Sequence, residues 1–186
     1  MKRFMLLVAA LLLSGVGYGE TVIVDPSVYP AGTDVTAAYP GVRLNTAEGT
    51  SQVYYLEVWE PLHLISDVTL PVYVNATGNR FAHPAGDVWS ANSLCCGSQT
   101  NVLKITFDKP VSSVAVLFDA GEDTAILQIY DHRGVLLAES YQRFTGPNTL
   151  SLDAPPKKKI SFALATFGDT GRIGPVTYTV PAKGKK

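Results

Sequence analysis

The stretch Val114-Ala115-Val116-Leu117-Phe118-Asp119-Ala120-Gly121-Glu122-Asp123, continued by Thr124-Ala125-Ile126-Leu127-Gln128-Ile129-Tyr130-Asp131-His132-Arg133-Gly134, decides the fold. Val114, Val116 and Phe118 alternate with Ala115 and Leu117; Ala125, Leu127 and Ile129 alternate with Ile126, Gln128 and Tyr130. Successive side chains of a strand point to opposite faces, so this period of two reads as two strands. Asp119 to Asp123 closes the first, and Asp131 to Gly134 is a hairpin turn signal before Val135 to Glu139.

The pattern extends in both directions. Leu103, Ile105 and Phe107 share a face before Asp108-Lys109-Pro110, which reads as a turn; Ile160, Phe162 and Leu164 alternate with Ser161, Ala163 and Ala165; Val176, Tyr178 and Val180 alternate with Thr177 and Thr179. Toward the start, Thr21 to Val24, Val42 to Asn45, Val53 to Trp59 and Val68 to Asn75 read as strands, with Pro71 marking the last as an edge or a bulge. No long 3.6-residue periodicity interrupts them, and no solenoid repeat or interdomain linker is visible. Eight to eleven short strands without a helical crossover predict an all-β fold, an antiparallel sandwich of jelly-roll type, over residues 20–180.

Met1-Lys2-Arg3, an apolar run from Phe4 to Leu13 and the small residues around Gly17 and Gly19 read as a signal peptide cut after Gly19. Ten apolar residues are too few for a bilayer that needs about 20. The expectation is a secreted, extracellular or periplasmic protein with no membrane span after signal removal. Loss of Lys2 and Arg3 takes the net charge from -1 to -3. A mildly acidic chain argues against nucleic acid as a partner, since Lys157-Lys158-Lys159 and the tail at Lys183, Lys185 and Lys186 read as a solvated turn and, over residues 181–186, a disordered basic end. The remaining residues, about 167, suffice for one domain that needs no covalent staples.

Three segments resemble a β-sandwich domain of secreted bacterial proteins, many of them exosortase-sorted (PEP-CTERM) proteins. They are Pro30 to Val42 (PAGTDVTAAYPGV), Asn92 to Cys95 followed by Ile105 to Val114 (ITFDKPVSSV), and Ile129 to Leu136 (IYDHRGVL). The resemblance implies a sandwich related in shape to galactose-binding and carbohydrate-binding modules, and implies little about the ligand. Two departures stand out. Gly174 and Pro175 occupy the places where that group has Asp and Asn, which puts any calcium contact by that pair in doubt, and no second hydrophobic segment follows Val180-Pro181, so the sorting tail is missing.

Three groups of residues could carry chemistry. A carbohydrate site needs an exposed aromatic platform beside polar hydrogen-bonding groups; Trp59, Trp89, Tyr54, Tyr55 and Tyr73 are candidates, with Asp87 and Asn92 near Trp89, and Phe81 to Trp89 is the stretch to look at first. A tryptophan in such a domain is also a natural core residue. Asp119, Glu122 and Asp123 offer oxygens suited to calcium, although the alternating ligand pattern of a calcium loop is missing, and an acidic hairpin loop is the plainer reading. Cys95 and Cys96 are adjacent, and neighbouring Cα atoms about 3.8 Å apart lie below the usual disulfide range. A strained vicinal disulfide, two free thiols and bridges to another chain all fit. No Cys-x-x-Cys spacing supports a metal or redox role.

Catalysis finds less support. The histidines are His63, His83 and His132, without a Gly-x-Ser-x-Gly elbow or a His-Glu-x-x-His motif, and alternation puts Glu57 and Glu60 on opposite faces. Asn75-Ala76-Thr77 matches a glycosylation sequon but reads as a turn continued by Gly78-Asn79. The sequence therefore predicts a non-catalytic module for carbohydrate or extracellular matrix, with an extracellular polysaccharide as partner, or else a structural, self-associating protein.

Overall fold

The computed structural model describes residues 19–54, 57–91, 101–119, 123–168 and 170–182, with the backbone alone for 52–54, 57, 59–60 and 67–68. The signal segment, Asn92, Cys95, Cys96, Glu122, Asp169 and the terminal lysines lie outside the described residues, as do the side chains of Trp59, Glu57 and Glu60.

The protein is an all-β sandwich of jelly-roll type built from two antiparallel, curled sheets of six strands each. One sheet holds β1 (Glu20–Val24), β4 (Tyr73–Val74), β5 (Phe81–Ala82), β7 (Ser113–Asp119), β10 (Asn148–Asp153) and β12 (Arg172–Val180), in the order β10-β7-β12-β5-β4 with β1 added to β12. The other runs β3 (Glu57–Leu70), β2 (Val42–Tyr54), β6 (Asn101–Val111), β11 (Ile160–Phe167), β8 (Asp123–Tyr130) and β9 (Leu136–Phe144). A 3-10 turn, Pro26–Val28, is capped by the Asp25 carboxylate, which accepts from the Ser27 amide.

The alternation read from the sequence supplies the core. Val114, Val116, Phe118, Val176 and Tyr178 of the first sheet face Leu103, Ile105, Phe107, Ala125, Leu127, Ile129, Ala163, Ala165 and Phe167 of the second. Phe118 meets Phe167 edge to face at 5.2 Å, and Phe107 tilts over Tyr178 at 5.0 Å. The hairpin at Asp131 forms as its residues require: the buried Asp131 carboxylate accepts from the Arg133 and Val135 amides, and Gly134 takes a φ of 75°.

Three expectations change. Val53 to Trp59 is not one strand: Tyr54 pairs with Glu57, so the chain reverses inside the run, with no glycine, proline or asparagine to announce it. Asp108-Lys109-Pro110 does not end β6, which continues to Val111; the Ile160 to Phe162 bulge on β11 accommodates the proline there. Strand β10 forms where no strand was expected, because its short alternation, Leu150 inward between exposed Thr149 and Ser151, completes the edge beside β7.

Gly171 shows how tightly one end is closed. It exchanges backbone hydrogen bonds with Trp89, at 2.8 and 3.3 Å, and a Cβ there would run into the ring of buried Phe167. Gly171→Ala should therefore destabilise by about 1–3 kcal/mol, read as a lowered urea midpoint at unchanged slope; an unchanged midpoint would show that the Phe167 ring can move aside.

Candidate functional site

The candidate site is the outer face of the β3-β2-β6-β11-β8-β9 sheet. Since Leu103, Ala163 and Leu127 point into the core, their neighbours Lys104, Phe162, Leu164, Gln128 and Tyr130 point out. Register places them in rows. Arg43, Thr106, Phe162 and Tyr130 form one row across β2, β6, β11 and β8; Asn45, Lys104, Leu164, Gln128 and Glu139 form the next, across β2, β6, β11, β8 and β9.

Half of this face is covered. Strands sit about 4.8 Å apart, so in a flat sheet β3 would lie roughly 19 Å from β8, four positions away in the strand order. Instead the Leu62 amide donates to the Tyr141 hydroxyl at 3.2 Å, and the Gln128 amide donates to the Leu62 carbonyl at 3.0 Å. The sheet curls until β3 lies over β8 and β9. Leu62 thereby joins Ala91, Val102, Ile126 and Leu164 in a second small core on the outside of the sheet.

The other half stays open and carries an aromatic pair. Tyr130 and Phe162, both half-buried, stack at 4.6 Å with their planes 4° apart, and the Lys104 ammonium sits 5.3 Å from the Phe162 ring centre. Hydrogen bonds fix the frame around them. The Tyr130 hydroxyl donates to Gln128 Oε1 at 2.6 Å, Gln128 Nε2 donates to Glu139 at 2.9 Å, and the Tyr141 hydroxyl donates to the same carboxylate at 3.0 Å. Burial, and then the Glu139 charge, push the Tyr130 hydroxyl up to about 12. Tyr141 is likewise raised to about 12, mainly by burial, with the Leu62 amide opposing. Both hydroxyls remain protonated donors at neutral pH.

The residues singled out from the sequence fall elsewhere. Trp89 is fully buried, its Nε1 donating to the Phe81 carbonyl at 3.1 Å, and so is a core residue and no platform. In the Phe81 to Trp89 stretch, Phe81, Ala82 and His83 are buried as well, while Pro84, Ala85, Gly86 and Val88 are exposed. His83 is buried with Nε2 2.8 Å from the Val88 carbonyl, and burial holds its pKa below the ordinary value.

Asp87 and Asp119, one read as a ligand contact and the other as a metal ligand, meet in a single cleft of about 300 Å³ lined by Thr77, Asn79, Arg80, Asp87, Asp119 and Arg172. Arg80 pairs with Asp119 at 3.0 Å and Arg172 with Asp87 at 3.1 Å. The Asn75 amide also donates to Asp87, which together with Arg172 keeps that carboxyl below its usual range. Asn75 is buried, and its side chain ties the turn through Thr77, Asn79 and Arg80, which makes the sequon a turn. Asp123 is occupied differently, accepting from the Thr124 and Thr170 amides. With guanidinium groups on both other aspartates, the arrangement ties loops to β7 and β12. Among the described residues no three His, Cys, Asp or Glu side chains lie close enough to hold a metal ion, and Glu122, the third residue of the calcium reading, lies outside them.

The sequence reading missed Tyr130 and Phe162 as site residues. The signal was present in Ile126-Gln128-Tyr130, the more polar face of an otherwise apolar strand.

Comparison with known proteins adds little. No family model matches the chain, and no curated protein matches it. A solved structure from work on the Ruminococcus flavefaciens cellulosome and its expansion in glycan recognition aligns over 90% of this chain and 100% of its own, at 12% identity and a TM-score of 0.35. At that score the likeness carries no argument about function. No described helix is long and apolar enough to cross a membrane.

Proposed function

We propose that the chain is a secreted, non-catalytic binding module whose ligand is a carbohydrate of the cell surface or extracellular matrix. One observation carries the reading: the half-buried Tyr130 and Phe162 rings, stacked on each other on the outer sheet face and bordered by Lys104, Thr106 and Asn45. Sugar rings have apolar faces and polar rims, so a ligand of this class wants an aromatic surface with hydrogen-bonding groups around it. The apolar segment before Gly19 and the resemblance to the sandwich domains of exosortase-sorted proteins support the secreted part of this reading.

The test is a panel of neutral and charged polysaccharides against the purified protein, with calcium and again with a chelator. Saturable binding that survives chelation is the expected result. Silence across the panel would overturn the reading.

A second reading, self-association, draws on β3. This strand of 14 residues is at the sheet edge and exposes Val58, Ile65 and Leu70. Unpaired edges with apolar side chains invite pairing with another copy, and a concentration-dependent dimer in sedimentation, lost in Ile65→Lys, would favour that reading.

A further inference from the structure

We infer that the ligand of the open face is an anionic polysaccharide, one carrying a carboxylate or sulfate on its sugars, selected by Arg43 and Lys104. The inference rests on the carbohydrate reading above and adds the chemical class of the sugar.

Charge is distributed unevenly over the fold. Arg80, Arg133 and Arg172 each have an aspartate partner at 3.0 to 3.4 Å. Arg43 and Lys104 have no anionic partner among the described residues; Lys104 meets only the Phe162 ring. The two are diagonal neighbours, since Arg43 pairs with Thr106 and Asn45 with Lys104. Arg43 is two strands from Phe162 along its row, roughly 10 Å between backbones. Two unpaired cations therefore flank one side of the aromatic pair.

The described acids near this face do not neutralise them. Glu139 lies at the far edge on β9, where Gln128 and Tyr141 both donate to its carboxylate. Asp108, further along β6, lines a separate cleft with Gly41, Lys109 and Tyr178. Glu48 on β2 pairs with Asn101, at the end covered by β3. The chain as a whole is negative, so this positive side runs against its overall sign. A neutral sugar would leave both cations without use. A sugar lying along the outer edges of the ring pair with an acid group toward β6 would meet the Lys104 ammonium, and the next anionic group along the chain would meet Arg43.

The experiment compares polygalacturonate, dextran sulfate, neutral dextran and single-stranded oligo(dT) on the full protein and on the double variant Arg43→Gln with Lys104→Gln. Arg172→Gln, which removes a cation on the other sheet, is the control, and thermal unfolding confirms that each variant is folded. An anionic polysaccharide should bind more tightly than dextran, weaken as salt rises, and lose about tenfold or more in the double variant only. Preference for polygalacturonate assigns the carboxylate, and preference for dextran sulfate assigns the sulfate. Three results would overturn the inference and leave the carbohydrate reading standing: dextran bound as tightly, equal loss in Arg172→Gln, or an unaffected double variant. Oligo(dT) bound as tightly as the polysaccharides would overturn it too, and failure of every polysaccharide would sink both.

Discussion

Trp89→Ala should cost about 3–5 kcal/mol of folding stability while leaving the open face of the sandwich intact. The indole is fully buried between the sheets, donates to the Phe81 carbonyl, and meets the His83 ring edge to face at 5.2 Å. Its backbone is joined to Gly171, and Ala91 is bonded to Phe167, so the side chain sits where the segment from Phe81 to Ala91 is stitched across the end of both sheets. Alanine removes the packing and leaves the Phe81 carbonyl buried without its donor, a loss that alone costs about 1–3 kcal/mol. A domain of this kind has only about 5–15 kcal/mol in hand, so urea unfolding at 25 °C should show a large fall in midpoint. The fraction still folded should bind glycan as the parent does. A cost under about 1 kcal/mol, or a selective loss of binding, would return Trp89 to the surface role that its neighbours Asp87 and Asn92 suggested from sequence.

That inversion shows where the sequence was legible. Period-two alternation identifies strands and groups their side chains into faces, which is why β6, β7, β8, β11 and β12 were readable from local residues. It does not say which face is inward when both are apolar. On β11 the pair Phe162 and Leu164 looks like the core face beside Ala163 and Ala165, yet the alanines point in, leaving room for Phe118 and Phe167 to meet. Side-chain size is set there by what stands opposite, and that neighbour is distant in the chain. The same holds for the cover over the outer face, where Leu62 meets Gln128 across 66 positions, a contact that depends on the curl of the whole sheet. The cleft joining Asp87 to Arg172 spans 85 positions. Local pattern could nominate Asp87 and Asp119 as special, and only the fold shows that each is engaged by an arginine.

Removing the aromatic pair should do the reverse of removing Trp89. Phe162→Leu combined with Tyr130→Leu keeps apolar bulk over Leu64 and the small outer core but takes away the aromatic rings. Glycan affinity should fall on the order of 100-fold, about 2.7 kcal/mol. Stability should fall less, because the stacked geometry itself contributes about 0.5–1.5 kcal/mol and both rings are already partly in water. Tyr130→Phe separates the ring from its hydroxyl. That hydroxyl donates to Gln128 Oε1, whose amide nitrogen in turn holds Leu62 and Glu139, so its loss should loosen the hold on β3 by about 1 kcal/mol and leave stacking in place. Titration calorimetry beside urea unfolding on the two variants gives the answer. Near-parent affinity in Tyr130→Phe with loss in the double leucine variant makes the rings the binding surface. Equal loss in both would mean that the hydroxyl frame and the position of β3 shape the site, and undiminished affinity in the double variant would remove this face from the binding reaction altogether.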